Sequence, residues 1–566
     1  MSAPTAESLG ATRAPVLIVG GGPTGLALAL FLTRHGVRPL LVERRSGTGR
    51  LPRAFSLHAR TMEIFRAAGV EQAVRDVSAR AGLAHLRGIL SVRTLAGDPG
   101  AWVLPPDVPT FDPSPLSPVG GICCPQDLYE PVLAEAAAEA GARIEFGAEL
   151  LDFEDRPDAV HARIRSSDGR TRTVRAAYLV AADGAASPVR ERSGVALGGR
   201  GALVGAAINV LFRADLTAAV DGRTFFMCTA FNPRASVALT PRDASGTWSM
   251  LGVALDDGKP VTDYTPERCV RLVRDAVGVA DLPVEILRTV PWTSGMRVAD
   301  RFRSGRVFLA GDAAHTMSPS GGYGANTGIQ DAHNLAWKLA AVLHCWGWDR
   351  LLDSYDAERR PVAWAIAEQA ALRTMTGHQG PGEGGLPAIR DDFTIIFGHQ
   401  YDSAAVLGAA SGEPLPERLD LTARPGTRAP HAERVTDGMT GATESVLDRL
   451  GRSFVVLTAG PSEPWTEAVQ LARGQLGVPL DACRLDGDPR GGDAAVLRAY
   501  DLEPGGAILV RPDGFVAWRC DAPPVDAGAR LTEALTRLLG RQTAPDDDTG
   551  PAHPAGAQER NTDRAR

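Results

Sequence analysis

An unbroken apolar run, Val16-Leu-Ile-Val19, opens the ordered pattern of this chain and leads straight into Gly20-Gly-Gly-Pro-Thr-Gly25. Four consecutive apolar residues suit a strand buried on both faces, and the glycines predict a tight turn into a helix opening near Thr24. A second short strand, Pro39-Leu-Leu-Val42, ends in Glu43. Apolar residues three and four apart make Thr61 to Gly69 a helix, and Gln126 opens another through Leu128, Val132, Leu133 and Ala136, stopped by Gly141. Residues 85–121 read as short strands broken by a proline-rich run, Pro105 to Pro118, expected to cross the surface as an extended loop. A strand at Arg143–Phe146 follows, then an antiparallel ribbon from Leu150 to Arg175 around the Ser167-Asp-Gly169 turn, then a separate strand, Tyr178–Ala182, ending at Asp183-Gly184. Alternation in Ala206–Phe212 and Trp248–Ala254 predicts a mixed β-sheet over 200–290 with a helix near 265–277, inserted in the first domain. The parallel-sheet pattern returns at Arg306-Val-Phe-Leu-Ala310, which ends at Gly311-Asp312, and a helix is expected from about Ala325 to His344, with further helix over 350–376. Beyond about 415 two strands around a helix, then a hairpin at Arg511-Pro-Asp-Gly514 and a last helix, predict a small α/β domain; the tail 544–566 has no apolar periodicity and is expected to be disordered.

Composition narrows the class. At 566 residues the chain is too long for one core, and 44% hydrophobic with 22% charged residues is an ordinary globular balance. A net charge of -7 argues against nucleic acid as partner. Seven cysteines, with no Cys-x-x-Cys and no zinc spacing, predict a reducing, cytoplasmic setting and no metal site; Cys123 and Cys124 read as small buried hydrophobes. No 18-residue apolar run predicts a membrane span. Lys259 and Lys338 are the only lysines among 60 basic residues.

The chemistry gathers at three strand ends. Gly20, Gly22 and Gly25 fit Gly-x-Gly-x-x-Gly, in which missing side chains let a pyrophosphate approach backbone N–H groups at the positive end of a helix. Glu43 lies eighteen positions after Gly25, where a carboxylate accepts from a ribose 2′-OH. Asp183-Gly184 and Gly311-Asp312 close the other two strands, and ligands collect beyond the carboxyl ends of a parallel sheet. The turn Pro319-Ser-Gly-Gly-Tyr-Gly-Ala-Asn326 precedes another helix and offers several N–H donors to an acceptor-rich group such as a flavin ring edge.

Taken together, Gly20-x-Gly22-x-x-Gly25, Ala182-Asp183-Gly184, Gly311-Asp312 and Pro319-x-Gly321-Gly322-x-Gly324-x-Asn326 resemble the FAD-dependent aromatic hydroxylases of the para-hydroxybenzoate hydroxylase type, over about residues 14–375. Arg511-Pro-Asp-Gly514 with Ala517-Trp-Arg519 resembles the thioredoxin-like C-terminal domain of phenol and aromatic polyketide hydroxylases; without Cys-x-x-Cys it implies scaffolding rather than thiol redox chemistry. The resemblance implies an α/β protein with a Rossmann-like FAD-binding domain (1–200 and 290–400), an inserted β-sheet substrate domain (200–290, with 85–121 contributing) and a thioredoxin-like domain (415–543). It places Glu43 on the adenosine ribose, Arg44 beside the adenine, and Arg53 and Gln126 near the diphosphate and ribityl chain. Thr24 falls at the phosphate-facing helix start, Asp183 and Gly184 in a motif shared between FAD and nicotinamide handling, and Gly311 and Asp312 at the ribityl chain. Pro319, Gly321, Gly322, Gly324, Ala325 and Asn326 fall along the isoalloxazine. No catalytic side chain is assigned, His58 and His315 included. The implied activity is NAD(P)H- and O₂-dependent hydroxylation of an aromatic, polycyclic polyketide substrate through a flavin C4a-hydroperoxide, by a monomer or homodimer; Baeyer–Villiger or ring-rearranging oxygenation is the alternative on the same scaffold.

Overall fold

The computed structural model describes residues 12–49, 54–105, 113–253, 264–376, 387–410, 412–437, 442–460, 463–485 and 494–541. Strand β1 (Thr12–Val19) leads into helix α1 (Pro23–Arg34) and β2 (Leu40–Glu43). Helix α2 (Ala59–Ala67), β3 (Ile89–Val92), β4 (Ala101–Leu104), α3 (Gln126–Glu139) and β5 (Arg143–Phe146) follow. After β6 (Glu149–Asp155) and β7 (Val160–Arg165) comes β8, which runs unbroken from Thr171 to Ala181. The separate ribbon strand and parallel strand expected from sequence are therefore one. Its first half pairs antiparallel with β7, Thr171 opposite Arg165, and its second half parallel with β1, Val16 opposite Tyr178. Polar alternation gives way to the apolar run Ala176-Ala-Tyr-Leu-Val-Ala181 where the strand passes from the exposed ribbon into the buried sheet, so the change of pattern marks a change of surroundings and not a chain break.

Helix α4 (Pro188–Arg192) and the long strand β9 (Leu197–Arg213) lead into the second sheet, with β10 (Met227–Asn232), β11 (Ala235–Pro241), β12 (Thr247–Val253), helix α5 (Pro266–Val277) and β13 (Glu285–Ala299). Its order is β13-β9-β12-β11-β10-β3-β4, so the short strands before residue 105 close its far edge. Register decides what each face carries. Ile208, Val210, Phe212, Val237, Leu239 and Met250 pack with Cys269, Leu272, Val273 and Ala276 of α5 in one apolar core. On the opposite face Asn209, Leu251, Ala238 and Thr229 stand in cross-strand register, with Val290 and Trp292 beside them, all half-buried.

Strand β14 (Val307–Leu309) returns to the first sheet, whose central order is β14-β8-β1-β2-β5, all parallel. Helix α6 (Tyr323–Leu343) packs against α1, and α7 (Asp353–Thr376) lies on α6. The C-terminal sheet combines β15 (Phe454–Thr458), β16 (Leu480–Arg484), β17 (Ala507–Val510) and β18 (Val516–Cys520) in the order β16-β15-β17-β18, with helices α8 (Glu463–Leu476) and α9 (Ala527–Leu538). Parallel β15–β16 with antiparallel β17 between β15 and β18 is the thioredoxin-like arrangement. It is not a tethered module: Trp337 and Ala341 of α6 share an apolar core with Phe454, Trp465 and Leu531. The tail 544–566 lies outside the described residues, as do residues 106–112 of the proline-rich run. Among the described residues no helix is long and apolar enough to cross a membrane.

Candidate functional site

The ends of β1, β8 and β14 lie side by side, joined by hydrogen bonds from Ala182 N–H to the Val19 carbonyl and from Ala310 N–H to the Ala181 carbonyl. Three separated sequence motifs thereby meet. Gly20 turns at φ +109°, and a Cβ there would collide with the Ala182 carbonyl; a Cβ on Gly25 would collide with the Gly20 carbonyl. Gly311 and Gly328 each present a bare Cα to the Thr24 hydroxyl, which lets α1 and α6 approach at their N-terminal ends. Gly22 differs from its neighbours: nothing lies within 4 Å of the position a Cβ would take, and as the residue preceding α1 it contributes no side-chain cap. The α6 start at Gly322 (φ +69°) likewise has no side-chain cap. Two uncapped helix starts beside open backbone are suited to anionic or acceptor-rich groups. Glycine space, helix polarity and the Glu43 acceptor together fit a dinucleotide such as FAD.

Glu43 is buried at the end of β2. Its Oε2 accepts from Gly21 N–H at 2.7 Å and its Oε1 from the Arg45 backbone N–H at 2.8 Å and Arg45 Nε at 2.9 Å. Burial alone would raise its pKa, but the bonds from Arg45 and Gly21 outweigh that and hold the carboxyl below its ordinary range, so it is an acceptor at neutral pH. Its partner is Arg45, whereas Arg44 is exposed to solvent. Arg53 lies outside the described residues. Gln126 begins α3, and its Nε2 donates to Glu130 Oε1 at 2.6 Å while Glu130 Oε2 takes the Gly49 N–H at 2.5 Å. Burial pushes the Glu130 carboxyl up.

Asp183 uses both carboxylate oxygens locally, Oδ1 accepting from Ser187 Oγ at 2.6 Å and Oδ2 from Val189 N–H at 3.2 Å, so in this structure it braces the start of α4, whose N-cap is Ser187; burial raises its pKa. Gly184 follows at φ +85°. Gly311 (φ +60°) and Asp312 form a single 3₁₀ turn, with Asp312 exposed. Pro319 and Gly321 are exposed, Gly322, Gly324 and Ala325 half-buried, and Asn326 buried. Asn326 is a tie: its Oδ1 accepts from His58 N–H at 2.9 Å and Thr61 Oγ1 at 2.7 Å, and its Nδ2 donates to the Ser56 and Gly322 carbonyls. It fixes the glycine turn against the start of α2.

Sequence reasoning passed over Asp331. Fully buried on α6, it accepts from Gly311 N–H at 3.1 Å and His315 Nε2 at 2.6 Å on one oxygen, and from Arg359 Nε at 2.8 Å on the other. Burial opposes its ionisation, but His315 and Arg359 overcome that and bring the carboxyl down to about 2. Asp331, together with His315, thus holds the Gly311-Asp312 turn from behind. The signal was faint: a polar run in mid-helix, Gln330-Asp-Ala-His-Asn334, followed by the apolar Leu335-Ala-Trp337, marks polar groups that need partners if that helix is buried.

Site and fold define a flavin-binding oxygenase scaffold, and comparison with known proteins agrees. Residues 13–370 match the FAD binding domain family and residues 422–542 the aromatic-ring hydroxylase C-terminal family. The chain belongs to the FAD-dependent aromatic-ring hydroxylases, and is a flavoprotein monooxygenase. It is 41% identical over 553 residues to tetracenomycin A2 monooxygenase-dioxygenase of Streptomyces glaucescens, covering 93% of this chain and 97% of that protein. Among solved structures, aklavinone-11 hydroxylase in a ternary complex with FAD and aklavinone superposes with a TM-score of 0.84 at 34% identity, covering 93% of this chain and 99% of that one. The rebeccamycin biosynthetic enzyme RebC with reduced flavin gives a TM-score of 0.77 at 34% identity, covering 94% and 100%.

Proposed function

We propose that this monooxygenase uses NAD(P)H and O₂ to hydroxylate a polycyclic aromatic polyketide, with FAD laid across the ends of β1, β8 and β14. The observation that carries this is the mutual contact of the three motifs, Gly20 and Gly25 against Ala182 and Thr24 against Gly311, beside two uncapped helix starts. In this proposal the N–H groups at the start of α1 meet the diphosphate, with Gly22 leaving room for it. Glu43 accepts from the adenosine ribose, Arg44 flanks the adenine, and Arg53 and Gln126 serve the diphosphate and ribityl region. Asp312 takes the ribityl chain, and the turn from Pro319 to Asn326 lies along the isoalloxazine. Asp183 and Gly184 line the approach of the nicotinamide donor, which binds transiently, there being no second Gly-x-Gly-x-x-Gly. When bound, FAD accepts hydride from NAD(P)H and with O₂ supplies an electrophilic oxygen.

The substrate domain is assigned to the second sheet. β13 carries it to the cofactor region, where Val298 and Arg297 pair with His315 and Thr316, four and five residues beyond Gly311. The half-buried face of Asn209, Thr229, Ala238, Leu251 and Trp292 mixes apolar surface with a few polar groups, as a site for a flat aromatic ring system does. Similarity to enzymes named for tetracenomycin and aklavinone supports a polyketide substrate. The test is to reconstitute the protein with FAD, add NADPH under air with a panel of phenols and polycyclic quinones, and compare product mass with hydrogen peroxide released. A gain of one oxygen with little peroxide is expected. Insertion into a ring bond instead of a C–H position marks the Baeyer–Villiger outcome, and peroxide without product across the panel contradicts the proposal.

A further inference from the structure

We infer that the C-terminal turn Arg511-Pro512-Asp513-Gly514 is a positioning element for the flavin site, locking α2, α6 and α7 in one arrangement and through them the turns at Gly311 and Asn326. This rests on the FAD placement proposed above and goes beyond it. The turn touches all three helices. The Asp513 carbonyl accepts from Arg60 Nη2 of α2 at 2.7 Å, and its Oδ2 accepts from Asn334 Nδ2 of α6 at 3.2 Å. Arg511 donates from Nη1 and Nη2 to the two oxygens of Glu358 on α7, at 2.6 and 2.8 Å, and is held by Asp513 through Nε at 3.0 Å and through Nη2. Lys338 of α6 completes the cluster, its Nζ 2.7 Å from Glu358 Oε2 and 2.8 Å from Asn334 Oδ1. The side chains of Arg511, Glu358 and Lys338 are 0% exposed and that of Asp513 1%.

Chain neighbours on two of these helices look opposite ways. Glu358 faces the C-terminal turn while Arg359 grips Asp331, which holds Gly311 N–H and His315. Arg60 faces the turn while Thr61 holds Asn326 Oδ1. Each helix therefore passes a position from the C-terminal domain to one flavin turn in the space of a single residue. A joint of this kind is not explained by stability, because apolar packing of equal volume holds domains together as well; a bidentate guanidinium–carboxylate pair fixes one geometry.

The test measures FAD affinity, visible circular dichroism of the bound flavin and apoprotein melting for the whole chain and four variants. Asp513→Asn keeps the main-chain acceptor, Glu358→Gln keeps shape, and Arg511→Met with Glu358→Met replaces the pair by apolar packing and leaves Lys338 and Asp513 to balance each other. Arg519→Ala, whose bonds run within the C-terminal domain, is the control. Variants that fold are expected to bind FAD about tenfold or more weakly, with an altered flavin dichroism band, while the control matches wild type. If the folded double variant melts like wild type and binds FAD with unchanged affinity and spectrum, the turn is structural only and the inference falls. Wild type that binds no FAD overturns the cofactor placement, and this inference with it.

Discussion

At the scale of single residues, the two glycines flanking the start of α1 do different work. A Cβ at Gly25 meets the Gly20 carbonyl, whereas one at Gly22 meets nothing within 4 Å and the backbone there is extended, with φ -88°. Gly25→Ala is expected to destabilise the apoprotein by about 1–3 kcal/mol. Gly22→Ala should leave apoprotein stability within about 0.5 kcal/mol. It should still weaken FAD by about tenfold or more, since its new methyl stands where the diphosphate is proposed to lie. Apoprotein melting and FAD titration of the two variants separate the roles; equal affinity in Gly22→Ala and wild type would place the diphosphate elsewhere. Asp331 makes a pH prediction. Its folded pKa of about 2 lies below the ordinary 3.8, so its stabilisation is complete above 3.8 and is lost as pH falls toward 2. The shift corresponds to about 2 kcal/mol. Denaturant unfolding of wild type and Asp331→Asn should show a stability gap at neutral pH that narrows steadily between about pH 4 and pH 2; a gap independent of pH would mean that the charge is not the source.

At the scale of elements, α6 shows why a rule of thumb can fail. By helix propensity, Gly328→Ala in mid-helix would stabilise by about 1 kcal/mol. Here the added methyl meets the Thr24 hydroxyl and stands 3.0 Å from Gly311 Cα, so the sign reverses: lower melting temperature and weaker FAD, partly restored by adding Thr24→Ala. The parallel strands and their terminal glycines were legible in the sequence because both faces of those strands are buried and short-range turn chemistry follows each one. β8 was not legible as one strand, because its two halves face different surroundings and hydropathy reports surroundings. The ties made by Asn326, Asp331 and Glu130 were hidden for another reason. They span 81 to 270 residues in sequence, or run from α6 back to a preceding turn, and no local pattern encodes such a partner. The motif points Asp183 to the cofactor, and the structure adds a shorter-range role, bracing Ser187 and Val189 at the start of α4.

At the scale of the whole molecule, the C-terminal domain is bound to the rest by a shared apolar core as well as by the Arg511 turn. Trp337 stands edge-on to Phe454 at 5.5 Å between ring centroids. A chain ended near residue 410 would expose that core and leave Glu358 and Lys338 without Arg511, and it is expected to aggregate; a soluble, FAD-binding truncation would contradict the shared-core picture. Lys338, one of the two lysines, is pushed down to about 8 by burial, with Arg511 lowering it further and Glu358 opposing, which marks it as part of this internal joint and not of the surface. The decisive measurement is incubation of the FAD-reconstituted protein with NADPH, ¹⁸O₂ and a phenolic polycyclic substrate, followed by mass spectrometry of the product. One atom of ¹⁸O in the aromatic product, with the flavin absorbance bleaching and returning during turnover, is the predicted result. A colourless protein after reconstitution, or NADPH oxidised with all the ¹⁸O recovered as hydrogen peroxide, would contradict it.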